Sequence, residues 1–145
     1  MKRSCVILSV LLVLIATPWQ MVAAADFYHL VTVRYETGLV KYFLGGPYTG
    51  KSSCEKLAQT VWDNVATTCG TCKREFQACY ESSVFPVVYK RTFRNELIPN
   101  PYVSATPKGR IIFAGVSRAA AIEECQHTAT QFRASGFGQA ACLFH

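Results

Sequence analysis

Apolar and polar positions alternate from Phe27 to Arg34 in a stretch rich in β-branched and aromatic side chains, which predicts a strand. Glu36-Thr37-Gly38 then predicts a turn and Leu39 to Leu44 a second strand. The two form a hairpin that Gly45-Gly46-Pro47 ends. Beyond it the period changes. Cys54, Leu57, Ala58, Val61, Trp62 and Val65 recur at helical spacing, and Ser52 with Glu55 makes a capping box. A helix from about Lys51 to Ala66 follows, closed by Thr67-Thr68-Cys69-Gly70. Lys73 to Tyr80 fits either period: Phe76 and Tyr80 are a helical turn apart, yet Phe76, Ala78 and Tyr80 also alternate. Val84 to Tyr89 reads as extended. Asn95 to Lys108, with Pro99, Pro101 and Pro107 and few apolar residues, reads as a surface loop. Arg110 to Ala114 predicts a strand, Gly115 a turn and Ser117 an N-cap. Ile122, Cys125, Ala129 and Phe132 mark a second amphipathic helix ending at Ser135-Gly136, and Phe137 to Phe144 a last strand that carries Cys142.

The pattern repeats. Leu39 to Cys72 and Arg110 to Cys142 each read strand, Gly turn, helix with a cysteine, and a cysteine beyond it. The simplest assembly is an α+β fold, an antiparallel sheet with two helices on one face. As a topology this predicts a ferredoxin-like βαββαβ with an extra N-terminal strand and a long central loop, stapled by disulfides.

The first residues change the picture. Lys2 and Arg3, the apolar run Val6 to Ile15 and the small-residue end Ala23-Ala24-Ala25 predict a signal peptide over residues 1–25, cut before Asp26. An uncleaved membrane anchor is the alternative, since the apolar stretch nears the ~20 residues needed to span. Pro18 and Gln20 argue against it. Residues 26–145 then form a single secreted α+β domain, secreted or periplasmic. The leader takes Cys5 with it, and losing Lys2 and Arg3 lowers the formal net charge from +6 to +4. Six cysteines remain, an even number in an exported chain, which reads as three disulfides. An exported setting also disfavours ATP-dependent chemistry.

Geometry suggests the pairings. Cys125 lies ~15 Å before the end of its helix at 1.5 Å per residue. A strand returning at ~3.3 Å per residue draws level at Cys142, so these two pair. In the first unit Cys54 lies ~18 Å before the helix end. A returning strand meets it near Cys72 and leaves Cys69 for Cys79. If Lys73 to Tyr80 is helical instead, Cys54 meets Cys79 and Cys69 closes on Cys72.

Two motifs carry chemistry. Cys69-Gly70-Thr71-Cys72 with Lys73-Arg74-Glu75-Phe76 resembles the active-site turn of thioredoxin-like oxidoreductases. That resemblance implies a redox enzyme in which Cys69 attacks and Cys72 resolves. Gly45 to Ser52 matches G-x-x-x-x-G-K-[ST], whose amides cradle phosphate at a helix N-terminus with Lys51 as counter-charge. Asp26 and Asp63 are the only aspartates, and neither ends an apolar strand as a magnesium ligand would, so no nucleotide is expected.

The doubled unit, over Tyr42 to Leu57 and Ile112 to Phe137, resembles SPOR-type repeats. These are small ferredoxin-like envelope modules, and the resemblance implies binding to peptidoglycan glycan. The densest basic stretch is Tyr89-Lys90-Arg91-Thr92-Phe93-Arg94, joined by Lys108 and Arg110. Its aromatics suit stacking and its cations suit an anionic partner. The plainer account is a solvated strand edge guarded by charge. His127, one turn from Glu123 and Glu124, reads as a surface ion pair, and the histidines do not cluster, so no metal is expected.

No catalytic set is complete, which points away from an enzyme and toward an exported, disulfide-stabilised binding domain without a cofactor. Its expected partner is an anionic envelope polymer or another exported protein. Membrane contact is expected only through an uncleaved leader. The alternative function is a thiol–disulfide oxidoreductase using Cys69 and Cys72.

Overall fold

A computed structural model describes residues 24–145. The leader expectation, Cys5 included, falls on residues 1–23 and so lies outside the described residues. Among the described residues no helix is long and apolar enough to cross a membrane.

The alternating stretches pair as their periodicity requires. β1 (Phe27–Arg34) and β2 (Val40–Tyr48) form the predicted hairpin. α1 (Lys51–Thr68) follows, then β3 (Lys73–Glu81), which returns antiparallel beside β1. A short α2 (Val87–Phe93) leads to a second hairpin, β4 (Tyr102–Thr106) with β5 (Gly109–Ala114). α3 (Arg118–Ala134) and β6 (Ala141–Leu143) complete the chain, β6 lying beside β4. The sheet has six strands, all antiparallel, in the order β3-β1-β2-β5-β4-β6.

That order is a palindrome. Each half is a ββαβ unit whose third strand lies beside its first, and the halves meet where β2 pairs with β5. The internal echo is therefore real but larger than the sequence suggested, because β1 and β4 belong to the repeat. The ferredoxin-like βαββαβ does not form. The N-terminal strand is no addition, and the central segment expected to be a loop contains β4, with Tyr102 and Val103 wholly buried. Prolines at 99, 101 and 107 flank that strand, where a missing N–H costs no ladder bond.

α1 packs on β1, β2 and β3, and α3 on β4, β5 and β6. Phe43 packs against both helix-side clusters, which places the two helices on one face as expected. Val31 and Val33 meet Ala58 and Val65 of α1, while Val103, Ile111 and Phe113 meet Ala121, Cys125 and Ala129 of α3. The other face carries a third cluster of Leu30, Leu44, Phe85, Ile98, Tyr102 and Ile112, covered by α2 and its flanking segments. Central strands are thus buried on both sides.

Several local expectations change. Val84 to Tyr89 is not extended, since α2 begins at Val87. β2 continues through Gly45, Gly46 and Pro47 because β1 and β5 still flank it there. α1 is capped by Gly50 without a side-chain bond, which puts Ser52 inside the helix and dissolves the capping box. Ser117, by contrast, accepts from the Ala120 N–H as an N-cap should.

The cysteines form three pairs, Cys54–Cys79, Cys69–Cys72 and Cys125–Cys142, with Cα separations of 6.1, 5.5 and 5.5 Å. Cys125 meets Cys142 as the climbing argument required. In the first unit β3 is a strand, yet Cys54 meets Cys79 and not Cys72. The reason is the turn. α1 runs to Thr68, ~21 Å past Cys54, and the strand starts only at Lys73, so Lys73 to Cys79 climbs the needed ~20 Å. Three pairs of this kind mark an oxidising, extracellular-type environment.

Candidate functional site

α2 is short, and its side chains divide sharply. Tyr89 and Phe93 turn toward the sheet. Tyr89 lies 6.0 Å from Phe85 and 6.1 Å from Tyr42 between ring centroids, and Phe93 lies 5.3 Å from Tyr28. Val87 and Val88 turn outward, 70% and 40% exposed, and Val84 one turn earlier is 67% exposed. Phe76 of the edge strand β3 extends this apolar surface, stacked on Tyr80, which in turn packs toward Phe85.

Cations follow the valines. Lys90 donates to the Ser82 carbonyl. Arg91 reaches Glu96 at 3.0 Å and the Leu97 carbonyl, and Arg94 reaches the other Glu96 oxygen at 2.5 Å. The Arg94 and Arg91 guanidiniums hold the Glu96 carboxyl below the usual carboxylate range. Two cations share this one carboxylate and Lys90 meets only a carbonyl, so the surface stays positive. Because these pairs are exposed, each is weak and exchangeable.

Arg110 is different. It is 3% exposed, and its guanidinium donates to the carbonyls of Thr92, Phe93, Thr106 and Gly109 and to Asn95 Oδ1. It also lies 5.1 Å over the Phe93 ring. Arg110 therefore pins the C-terminal carbonyls of α2 to β5, where a cation suits the helix dipole. Lys108 sits in the β4–β5 turn, lining a cleft on the opposite face of the sheet. Of the seven residues singled out in sequence, the structure brings Lys90, Arg91 and Arg94 together on one surface. Tyr89, Phe93 and Arg110 lie beneath it. The outward valines were overlooked because an apolar run beside Pro86 has the signature of a strand.

The thiols occupy structural positions. Cys54–Cys79 and Cys125–Cys142 each tie a helix to the third strand of its unit. Cys69 caps the C-terminus of α1, its N–H bonded to the Val65 carbonyl. Thioredoxin-like turns place the attacking thiol at a helix N-terminus, so the helix dipole here has the opposite sign and opposes a thiolate. The Gly45–Ser52 stretch forms no phosphate cradle. Gly45 pairs within the sheet with His29 and Gly109, and the Gly46 N–H donates to the Lys108 carbonyl. His127 bonds Gln131 at 2.9 Å and neither glutamate, and Glu124 pairs with Lys41. Among the described residues no group of three or more His, Cys, Asp or Glu is placed to hold a metal ion.

His29 has a measurable consequence. It is buried on the helix side of β1, and burial lowers its pKa to about 4. An unfolded histidine titrates near 6.5, so between these values the unfolded chain takes up a proton that the fold refuses. Stability is then full above pH ~6.5 and falls by about 3 kcal/mol as pH drops toward 4. Denaturant titrations across this range should show the slope, and His29→Phe should flatten it.

Set against known proteins, the chain matches no family model, no curated protein and no solved structure.

Proposed function

We propose that the protein is an exported domain, secreted or periplasmic, that acts by binding another exported protein through the α2 face. The observation that carries this is the juxtaposition of three outward valines, Val84, Val87 and Val88, with the cations Lys90, Arg91 and Arg94. A solvated helix has no reason to expose apolar side chains in its first turn, and contiguous apolar surface with a polar rim suits a partner. The positive rim calls for acidic residues around an apolar anchor. A glycan polymer fits less well, because the aromatics that would stack on sugars, Tyr89 and Phe93, pack inward. The disulfides support the reading by serving as staples within each unit.

The test is capture from the producer's exported fraction with wild-type bait and with Val84→Asp/Val87→Asp bait, at low and high salt. The expected result is a protein retained by wild type at low salt and lost both to the double substitution and to high salt. Retention by the substituted bait, or retention only of envelope polymer, would remove the proposal. The oxidoreductase alternative has one support, the closed Cys69–Cys72 pair beside exposed Gly70 and Thr71. Its position at a helix C-terminus weighs against it.

A further inference from the structure

On the face away from α2, a cleft of about 270 Å³ opens between α1 and α3. Its floor is Phe43 and Ile111, partners in the β2–β5 register at the centre of the internal two-fold, and its walls include Leu57 and Val61 of α1 and Phe132 of α3. One end has almost no side-chain bulk, because Gly45 and Gly109 stand opposite each other there. A Cβ on Gly45 would overlap the His29 ring and lie 2.5 Å from the Tyr48 hydroxyl oxygen. Glycine at this position is what admits both rings. Their centroids are 5.7 Å apart, nearly parallel.

His29 is 4% exposed, lines this cleft, and its Nδ1 has no hydrogen-bond partner. A buried polar nitrogen ordinarily has one, so its absence at the glycine end of an apolar cleft needs an explanation. Arg110 also lines the space, but its donors are engaged by backbone carbonyls and Asn95. Lys108, exposed at the rim, is the cation left to meet a ligand here. The interior thus offers mostly apolar walls with the hydroxyls of Tyr48, Thr60 and Thr106 among them, and the His29 imidazole is its buried polar group without a partner. Burial keeps that imidazole neutral, which suits an uncharged partner and not an anion.

We propose that this cleft binds a small, uncharged, mostly apolar molecule bearing one hydroxyl group, which hydrogen-bonds to the His29 imidazole. The volume, just below that of drug-sized sites, admits a one-ring molecule. This site is independent of the α2 face, which lies across the sheet.

The disulfide-intact protein is titrated with phenol, toluene and benzoate and followed by amide and imidazole nitrogen resonances. Phenol should produce saturable shifts at Leu57, Val61, Ile111 and Phe132 and move the His29 ring-nitrogen resonances. Toluene, lacking the hydroxyl, should bind roughly three- to tenfold more weakly. His29→Phe should bring phenol down to the toluene level. Leu57→Trp, a partly exposed position on the wall of the cleft, should abolish the shifts without touching the core. Val84→Asp/Val87→Asp should leave them unchanged. Absence of saturable shifts with every probe, equal binding of phenol and toluene, or tightest binding of benzoate would each overturn the proposal, the last by moving recognition to Lys108.

Discussion

Arg110→Met should lower the unfolding free energy by about 3–5 kcal/mol, with most of the loss felt at α2. The methionine fills part of the space but takes the guanidinium donors from the part-buried carbonyls of Phe93, Thr106 and Gly109 and from the Thr92 carbonyl, which keeps the Asn95 N–H. Each unsatisfied group costs its own desolvation, which is why the sum is large for a single substitution. Arg110→Lys should recover only a fraction, because one ammonium cannot reproduce the planar fork that serves acceptors on both α2 and the β4–β5 turn. Urea unfolding measures the loss, and amide exchange in α2 should quicken more than in β1. A loss below about 1 kcal/mol would mean that Arg110 is not the pin and that the cation serves another purpose.

The second large effect separates the staples. Loop-closure entropy for the sequence separations of 25, 17 and 3 residues gives ~3.5, ~3 and ~1.6 kcal/mol for Cys54–Cys79, Cys125–Cys142 and Cys69–Cys72. Cys54→Ala/Cys79→Ala should therefore destabilise about twice as much as Cys69→Ala/Cys72→Ala. The first pair also lies in the core, with Cys54 wholly buried, whereas the second closes an exposed turn. Reduced protein should lose its fold without gaining the ability to reduce insulin. Turnover of insulin by the wild type and not by Cys69→Ala/Cys72→Ala would instead assign the exposed pair a catalytic role.

Most of the elements were legible from local period and composition. α1 and α3 show clear periods because each has a wet side that keeps its polar residues, and β1 and β2 show through their β-branched and aromatic content although both of their faces are covered. Tyr102 to Thr106 was hidden because β4 is short and its prolines lie at its borders, so the composition of its surroundings dominated. α2 was hidden because its inward aromatics and outward valines are all apolar, which erases the helical period. The basic cluster was visible as composition, but composition does not say which cations point outward. Arg110 and Arg94 look alike in sequence. One is 3% exposed and bonded to carbonyls, the other lies at the surface beside Glu96.

The sequence by itself determined that there are two similar units, each with a helix carrying a cysteine, and that both helices share one face of an antiparallel sheet. Those features follow from local period and spacing, which a chain carries wherever it folds. The tertiary structure alone decided that each unit is ββαβ, that Cys54 meets Cys79, and which side chains face water on α2 and in the α1–α3 cleft. These depend on how many residues a turn consumes and on which strands become neighbours, and both are settled only when distant segments pack together.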